Sequence, residues 1–543
     1  MANTKSRPEV LLVTPPLMDA FELPELGVPQ LVGYLRNKGI NVEQRDLNLE
    51  LFTSFLGAER WRSLILSRLG PPSDVAWKCG LGDMLSHRIP DVASDGIEMY
   101  RRWVEASVKR LGLRSGTTVG EVAEAVSKPH DVWDSLFIDN IIDVYESPKI
   151  IGFSVIAPQQ LVPTLRMARL AKDSWPSAFV VIGGSWVIAA ERIIGGFLDR
   201  FPEIDGAILR RGEGPLLSLL EALRARASAE PTELADRPLL DVPNLVHKHG
   251  GEVVFNRLEA PVPLGDLPTP DFRGLLLERY PVQMLPVQTN SRCYWGKCVF
   301  CYHDSPLNGA GFRTPVQAAD DFDLLGRQTG INAFFLADCA APLKWMERFA
   351  KERIRRGSGG MWAAMCRAER DFTEDACRLL RQSGCTVLMI GLETVSPEGL
   401  ERIRKGITVA DVEHAARCCS AAGIDVHLFL LDFPTNSRAE FVATMDYVLS
   451  ISHLIKDFTA QRFQLSMLSR VYEEPAILGI TPLAVEGENL DVFDIPYRAT
   501  DETDSAELTA LVEDYRVRFK NQRETPGSPF VAAVQKGGNC GPN

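Results

Sequence analysis

Short, unbroken apolar runs alternate with amphipathic helical segments along most of this chain, and that alternation narrows the fold sharply. A strand that is apolar on both faces has to be covered on both, and helices do the covering while they return the chain to start the next parallel strand. The first series opens with Val10-Leu11-Leu12-Val13, a break at Pro15-Pro16, a helical pattern from Val28 to Lys38 stopped by Gly39, and an extended stretch from Ile40 to Leu47. It resumes with a strand from Ile150 to Val155, a helix over Leu161 to Lys172, a strand from Phe179 to Ile182 ending in Gly183-Gly184, and a strand near Ile204 to Leu209. Between these halves, residues from about 50 to 145 read as a helical insertion carrying Trp61, Trp77, Trp103 and Trp133. The expectation is one doubly wound α/β domain over residues 1–225, split by that insertion.

Residues 226–280 are rich in proline and charge, with a hairpin-like stretch at Gly250-Gly251, and read as an interdomain connector. A second alternating series follows over residues 281–470, with strands expected at Val282 to Gln288, Ala333 to Leu336, Trp362 to Met365, Val387 to Leu392, Val426 to Leu431 and Phe463 to Leu468. Six βα units close naturally as a partial (β/α)6 barrel of the TIM type, with function at the carboxyl ends of the strands. Residues 471–543 carry weaker signals and form a C-terminal extension.

At 543 residues the chain exceeds what one core supports, which favours a multidomain enzyme. A net charge of −12 without long basic runs argues against nucleic acid as a partner. Met1 to Val13 lacks the apolar stretch of a signal peptide and no window resembles a membrane span, so the expected location is the cytoplasm, without membrane contact. Eleven scattered cysteines do not form a disulfide framework, leaving reduced thiols or metal ligation.

Three of those cysteines lie together. Cys293, Cys298 and Cys301 sit in Asn290-Ser291-Arg292-Cys293-Tyr294-Trp295-Gly296-Lys297-Cys298-Val299-Phe300-Cys301-Tyr302, after a strand and before a helix. Three thiolates on one loop at the open end of a barrel suit an iron–sulfur cube with one iron left free. The alternatives are a zinc loop, which normally needs a fourth cysteine or histidine that His303 is badly spaced to supply, and unrelated buried thiols.

With this loop the sequence resembles the radical S-adenosylmethionine (SAM) superfamily, although the first gap holds four residues where three are usual. The resemblance implies a 4Fe-4S cluster whose free iron binds SAM, and reductive cleavage of SAM to a 5′-deoxyadenosyl radical with electrons from an external donor such as flavodoxin or ferredoxin. Gly391-Leu392-Glu393-Thr394-Val395-Ser396, with Leu400 to Gly406 after it, looks like the family's fourth-strand segment, so Glu393 inherits the ribose hydroxyls. Asp338, ending the second strand, is expected to accept the methionyl ammonium, and Arg367, after the third, to pair with the methionyl carboxylate. Gly423 to Pro434 resembles the segment that flanks the adenine. Tyr302, His303, Trp295 and Cys339 lie near the site with packing as the simpler role, and Cys366 and Cys385 read as core thiols.

The first domain, placed just before such a barrel, looks like a Rossmann-like cobalamin-binding fold. That resemblance assigns Ser154, Gly183 and Gly184 to the nucleotide tail of the corrinoid, and Gly212-Glu213-Gly214 also fits it. Aligned on Gly27, Glu22 and Pro24 stand where a methionine-synthase-like chain has its aspartate and cobalt-ligating histidine, so no histidine ligates from that loop. The function implied is radical methylation of an unactivated carbon, or of phosphorus, in a small-molecule natural product or peptide precursor. The alternatives are oxidation, cyclisation or ring rearrangement with the same cofactors, and a corrinoid-binding or redox-sensing protein without catalysis.

Overall fold

In the computed structural model, residues 5–18, 22–57, 117–228, 237–280, 282–302, 311–483, 489–499 and 505–524 are described. The first sheet holds β1 (Val10–Thr14), β2 (Val42–Asp46), β3 (Ile150–Ser154), β4 (Phe179–Gly183) and β5 (Gly206–Ile208), all parallel, in the order β2-β1-β3-β4-β5. Both faces are covered. Leu11, Val13, Ile151 and Phe153 enter one core, while Val10, Leu12, Ile150 and Val181 enter a second on the opposite face. Strand order reverses between β1 and β3, which opens a crevice beyond their carboxyl ends where doubly wound sheets bind ligands.

The stretch expected to be a connector contributes to this sheet. β6 (Leu245–His249) and β7 (Glu252–Phe255) form a hairpin around Gly250-Gly251 that pairs antiparallel with β5, extending the sheet to seven strands. The prolines on either side disguised a real edge. Of the insertion, helices Leu47–Gly57, Val119–Ser127 and Asp131–Phe137 are described, and Val122, Val126, Trp133 and Phe137 bury against the first core. Trp61, Trp77 and Trp103 lie outside the described residues.

The second sheet is parallel and open, in the order β13-β12-β11-β10-β9-β8. Its strands are β8 (Leu285–Val287), β9 (Ala333–Leu336), β10 (Met361–Cys366), β11 (Cys385–Glu393), β12 (Asp425–Asp432) and β13 (Asp457–Arg462). The sixth strand lies earlier than the expected Phe463 to Leu468. Its sequence, Asp-Phe-Thr-Ala-Gln-Arg, is half polar because an edge strand needs less apolar cover. Phe463 and Leu465 pack instead into a separate cluster with Val299 of the cysteine loop. From the C-terminal extension, helix Ser505–Glu524 supplies Leu508, Val512, Tyr515 and Phe519 to the barrel core. Among the described residues, no helix is long and apolar enough to cross a membrane.

Candidate active site

The cysteine loop leaves β8 through a buried anchor. Asp338, just past β9 and 1% exposed, accepts hydrogen bonds through Oδ1 from the Thr289 and Asn290 amides at 2.7 and 2.8 Å, and through Oδ2 from the Thr289 hydroxyl. Burial lifts its carboxyl to about 6 against the pull of these donors. Both oxygens of Asp338 thus hold the start of the cysteine loop, and Oδ2, with a single donor, can accept one more.

The longer first gap also does mechanical work. Trp295 donates from Nε1 to the Arg404 carbonyl at 2.9 Å, with Arg367 4.3 Å and Lys297 4.6 Å from its ring. Its indole lies on Gly406 so closely that a β-carbon there would stand 2.1 Å from Cζ2. Tyr294 donates to Glu369 at 2.8 Å. The Val299 amide donates to the Ile403 carbonyl, and the Val471 amide to Val299. Phe300 sits edge-on to Phe433 with centroids 5.3 Å apart. Trp295, for which packing is the simpler reading from sequence, is the wedge that fixes the loop to the segments after β10 and β11.

Cys293, Cys298 and Cys301 are all half-buried. Cys298 feels Lys405 and Arg367, which pull its thiol down, against burial, which raises it more. Cys339 is within electrostatic reach of Cys293 and Cys301, and burial first, then those thiols, pushes it up to about 12. Among the described residues no three His, Cys, Asp or Glu side chains close around a single ion. His303 lies outside the described residues. Cys366 and Cys385 are buried in the barrel core, where burial raises both thiols.

Glu393 ends β11 at a register irregularity with a left-handed φ of 68°. Its Oε1 accepts from Lys405 Nζ at 2.5 Å, both side chains nearly buried. Gly391 makes room for this pair, since a β-carbon would stand 2.4 Å from Glu393 Oε1 and 2.6 Å from Lys405 Nζ. Arg367 is 6% exposed and donates from Nη2 to the Lys405 carbonyl at 2.6 Å, while among the described residues its buried Nε makes no hydrogen bond and stands 3.8 Å from Glu369 Oε1. The structure thus gathers Glu393, Arg367, Lys405 and the cysteine loop at one end of the barrel. Lys405 was missed as a partner because nothing in its spacing of twelve from Glu393 marks the pair.

In the first domain, Gly184 has φ 104°, and a β-carbon there would meet the Val155 carbonyl oxygen at 2.4 Å, so the turn after β4 demands glycine. Gly183 beside it faces open space, with nothing within 4 Å of a β-carbon. Ser154, Gly183 and Gly184 line a slot over the sheet with Leu12, Gly152 and Val181. The slot, about 60 Å³, is smaller than a bicyclic base, so its walls have to part to admit one.

It opens into a cleft of about 540 Å³ whose other wall is the barrel, through Pro286, Gln288, Phe335 and Ala337. Glu22 and Pro24 line this cleft, and no histidine is among its described lining residues. Arg211 bridges it, donating to Glu213 at 2.9 Å and to Gln288 at 3.0 Å. A roomy polar-rimmed cleft joined to a glycine-lined slot fits a macrocycle that carries a tail.

Residues 287–448 match the radical SAM superfamily model. The chain is 26% identical over 378 residues to an uncharacterised methyltransferase of Pyrococcus horikoshii, covering 65% of this chain and 78% of that protein. It is 24% identical over 346 residues to the anaerobic magnesium-protoporphyrin IX monomethyl ester cyclase of Rubrivivax gelatinosus, covering 62% and 60%. Among solved structures, the cobalamin-dependent radical SAM enzyme OxsB with aqua-cobalamin and SAM bound aligns over 98% of this chain and 70% of its own, with a TM-score of 0.61 at 16% identity. The radical SAM methyltransferase TsrM from Kitasatospora setae, with cobalamin and a 4Fe-4S cluster bound, aligns over 89% and 82% with a TM-score of 0.56 at 16% identity. Residues 287–448 therefore carry a radical SAM domain, and the chain as a whole has the two-sheet α/β fold of OxsB and TsrM.

Proposed function

We propose that this enzyme is cobalamin-dependent and methylates an unactivated carbon, or phosphorus, of a small-molecule natural product or peptide precursor. One observation carries the reading: the carboxyl ends of both sheets line a single cleft, and the cysteine loop leaves the barrel wall only a residue beyond Gln288 on that cleft. When bound, the cluster with SAM supplies a 5′-deoxyadenosyl radical and the corrinoid a transferable methyl group.

The chain's own residues bind, orient and shield. Cys293, Cys298 and Cys301 hold the cluster, and Trp295 and Asp338 keep their loop in register. Glu393, ion-paired with Lys405, is the ribose acceptor. The guanidinium of Arg367, whose Nε makes no hydrogen bond among the described residues, receives the methionyl carboxylate. Ser154, Gly183 and Gly184 would take the corrinoid tail, and Glu22 and Pro24 would line the cleft that receives the ring. Electrons come from an external one-electron donor of the flavodoxin or ferredoxin kind.

The similarity to a cyclase favours one second reading, radical cyclisation or oxidation with the same cofactors and no methyl transfer. Anaerobic protein reconstituted with iron, sulfide and cobalamin is to be given SAM and dithionite, with S-adenosylhomocysteine and 5′-deoxyadenosine counted. Both products are expected. Deoxyadenosine alone removes methylation, and absence of both, or a cluster spectrum unchanged in the Cys293→Ala, Cys298→Ala, Cys301→Ala triple variant, removes the radical SAM assignment of these residues.

A further inference from the structure

We propose that Arg210 binds the phosphate of the corrinoid's nucleotide tail and makes the protein selective for corrinoids that carry one; the inference rests on the corrinoid reading above. The slot over the first sheet and the interdomain cleft share five lining residues, Leu31, Ser154, Gly184, Arg210 and Gly212. These form the mouth between the two spaces, and Arg210 is its one charged member. A corrinoid with its ring in the cleft and its base in the slot has to thread the connecting phosphodiester through that mouth, where a negative charge meets a single cation.

The guanidinium is set up for this. Arg210 directly follows β5's exit at Leu209, and its Nη1 donates to the Leu209 carbonyl at 2.7 Å and to Glu191 Oε2 at 2.8 Å, which pins the fork. Among the described residues no hydrogen bond is made by Nε or Nη2. The side chain is 11% exposed, so its remaining donors act in a partly dried setting, where charge-assisted bonds to phosphate are stronger than in water. Neighbouring Arg211 lines the cleft but not the slot, and each of its three nitrogens already donates to Glu213 or Gln288. Ser154, which also lines the mouth, adds a neutral hydroxyl.

The test uses the anaerobic full-length protein and three corrinoids: cobinamide, which has neither phosphate nor base, cobinamide phosphate, which adds the phosphate alone, and hydroxocobalamin. Dissociation constants are read from absorbance titrations. Wild type is expected to prefer cobinamide phosphate over cobinamide by about tenfold or more. Arg210→Gln is expected to abolish that preference while leaving cobinamide affinity unchanged, which also reports that the site is folded, and Arg210→Lys to restore part of it. Retention of the preference in Arg210→Gln, or equal binding of cobinamide and its phosphate by wild type, overturns the inference and leaves the corrinoid reading standing. Failure of wild type to take up any of the three overturns both.

Discussion

Replacing Gly406 by alanine tests whether Trp295 is the wedge that holds the cysteine loop. Gly406 has a φ of 68°, and the added β-carbon would lie 2.1 Å from Trp295 Cζ2 and 2.4 Å from Cη2. Two costs combine. Holding a residue with a β-carbon in left-handed backbone costs about 1–2 kcal/mol. Pushing the indole away from Arg367 and from the Arg404 carbonyl costs a further ~1–3 kcal/mol. Gly357 separates them, because it has a similar φ of 65° with nothing within 4 Å of a β-carbon. Gly357→Ala should therefore show the backbone cost alone. The assay is urea unfolding of both variants under anaerobic conditions, followed by the rate at which reconstituted protein loses iron to a chelator. Gly406→Ala is expected to be less stable than Gly357→Ala by ~1–3 kcal/mol and to release iron faster. Equal unfolding midpoints and equal iron release would refute the role given to Trp295.

Asp338→Ala leaves the Thr289 and Asn290 amides without their acceptor and should cost ~2–5 kcal/mol, with lower iron content after reconstitution; normal iron content at wild-type stability would contradict its anchoring role. Lys405→Met strands the Glu393 carboxylate in a nearly buried position and should cost about 3–5 kcal/mol in urea unfolding, most of which the added change Glu393→Gln should recover. If the double variant is no better than the single, the pair is not the source of the loss. His427 is 2% exposed, with its ring bonded to the Thr459 hydroxyl at 2.8 Å, and burial lowers its pKa from 6.5 to about 3. The unfolded chain takes up that proton first as pH falls, so stability present above the unfolded value drains away below it, by about 2 kcal/mol at pH 5. Urea midpoints at pH 7.5 and 5 should drop more for wild type than for His427→Gln, and equal drops would count against it.

Much of the architecture could be read from the chain because buried parallel strands have to be continuous apolar runs. Nearly every strand buried on both sides, from Val10-Leu11-Leu12-Val13 to Val426 to Leu431, lies where the runs put it. The failures are at edges. β7 and β13 are outermost strands and β6 lies next to β7, and all three carry polar or charged residues, so they lack the continuous apolar run of a central strand. The C-terminal helix was hidden for a related reason: it gives the barrel only one stripe, Leu508, Val512, Tyr515 and Phe519, in an otherwise charged segment.

The chemistry divides along the same line. Three cysteines within nine residues, a glutamate at a strand end and a glycine pair after an apolar run are local facts, because one short loop or turn carries each of them. What the tertiary structure alone decided is which groups from distant segments meet. Asp338 turns back forty-nine residues to Thr289, Trp295 seats on Gly406, Lys405 neutralises Glu393, and Arg210 comes to the mouth between slot and cleft. Sequence spacing carries no trace of such meetings, since they depend on the order of strands in each sheet and on the packing of one sheet's carboxyl edge against the other's.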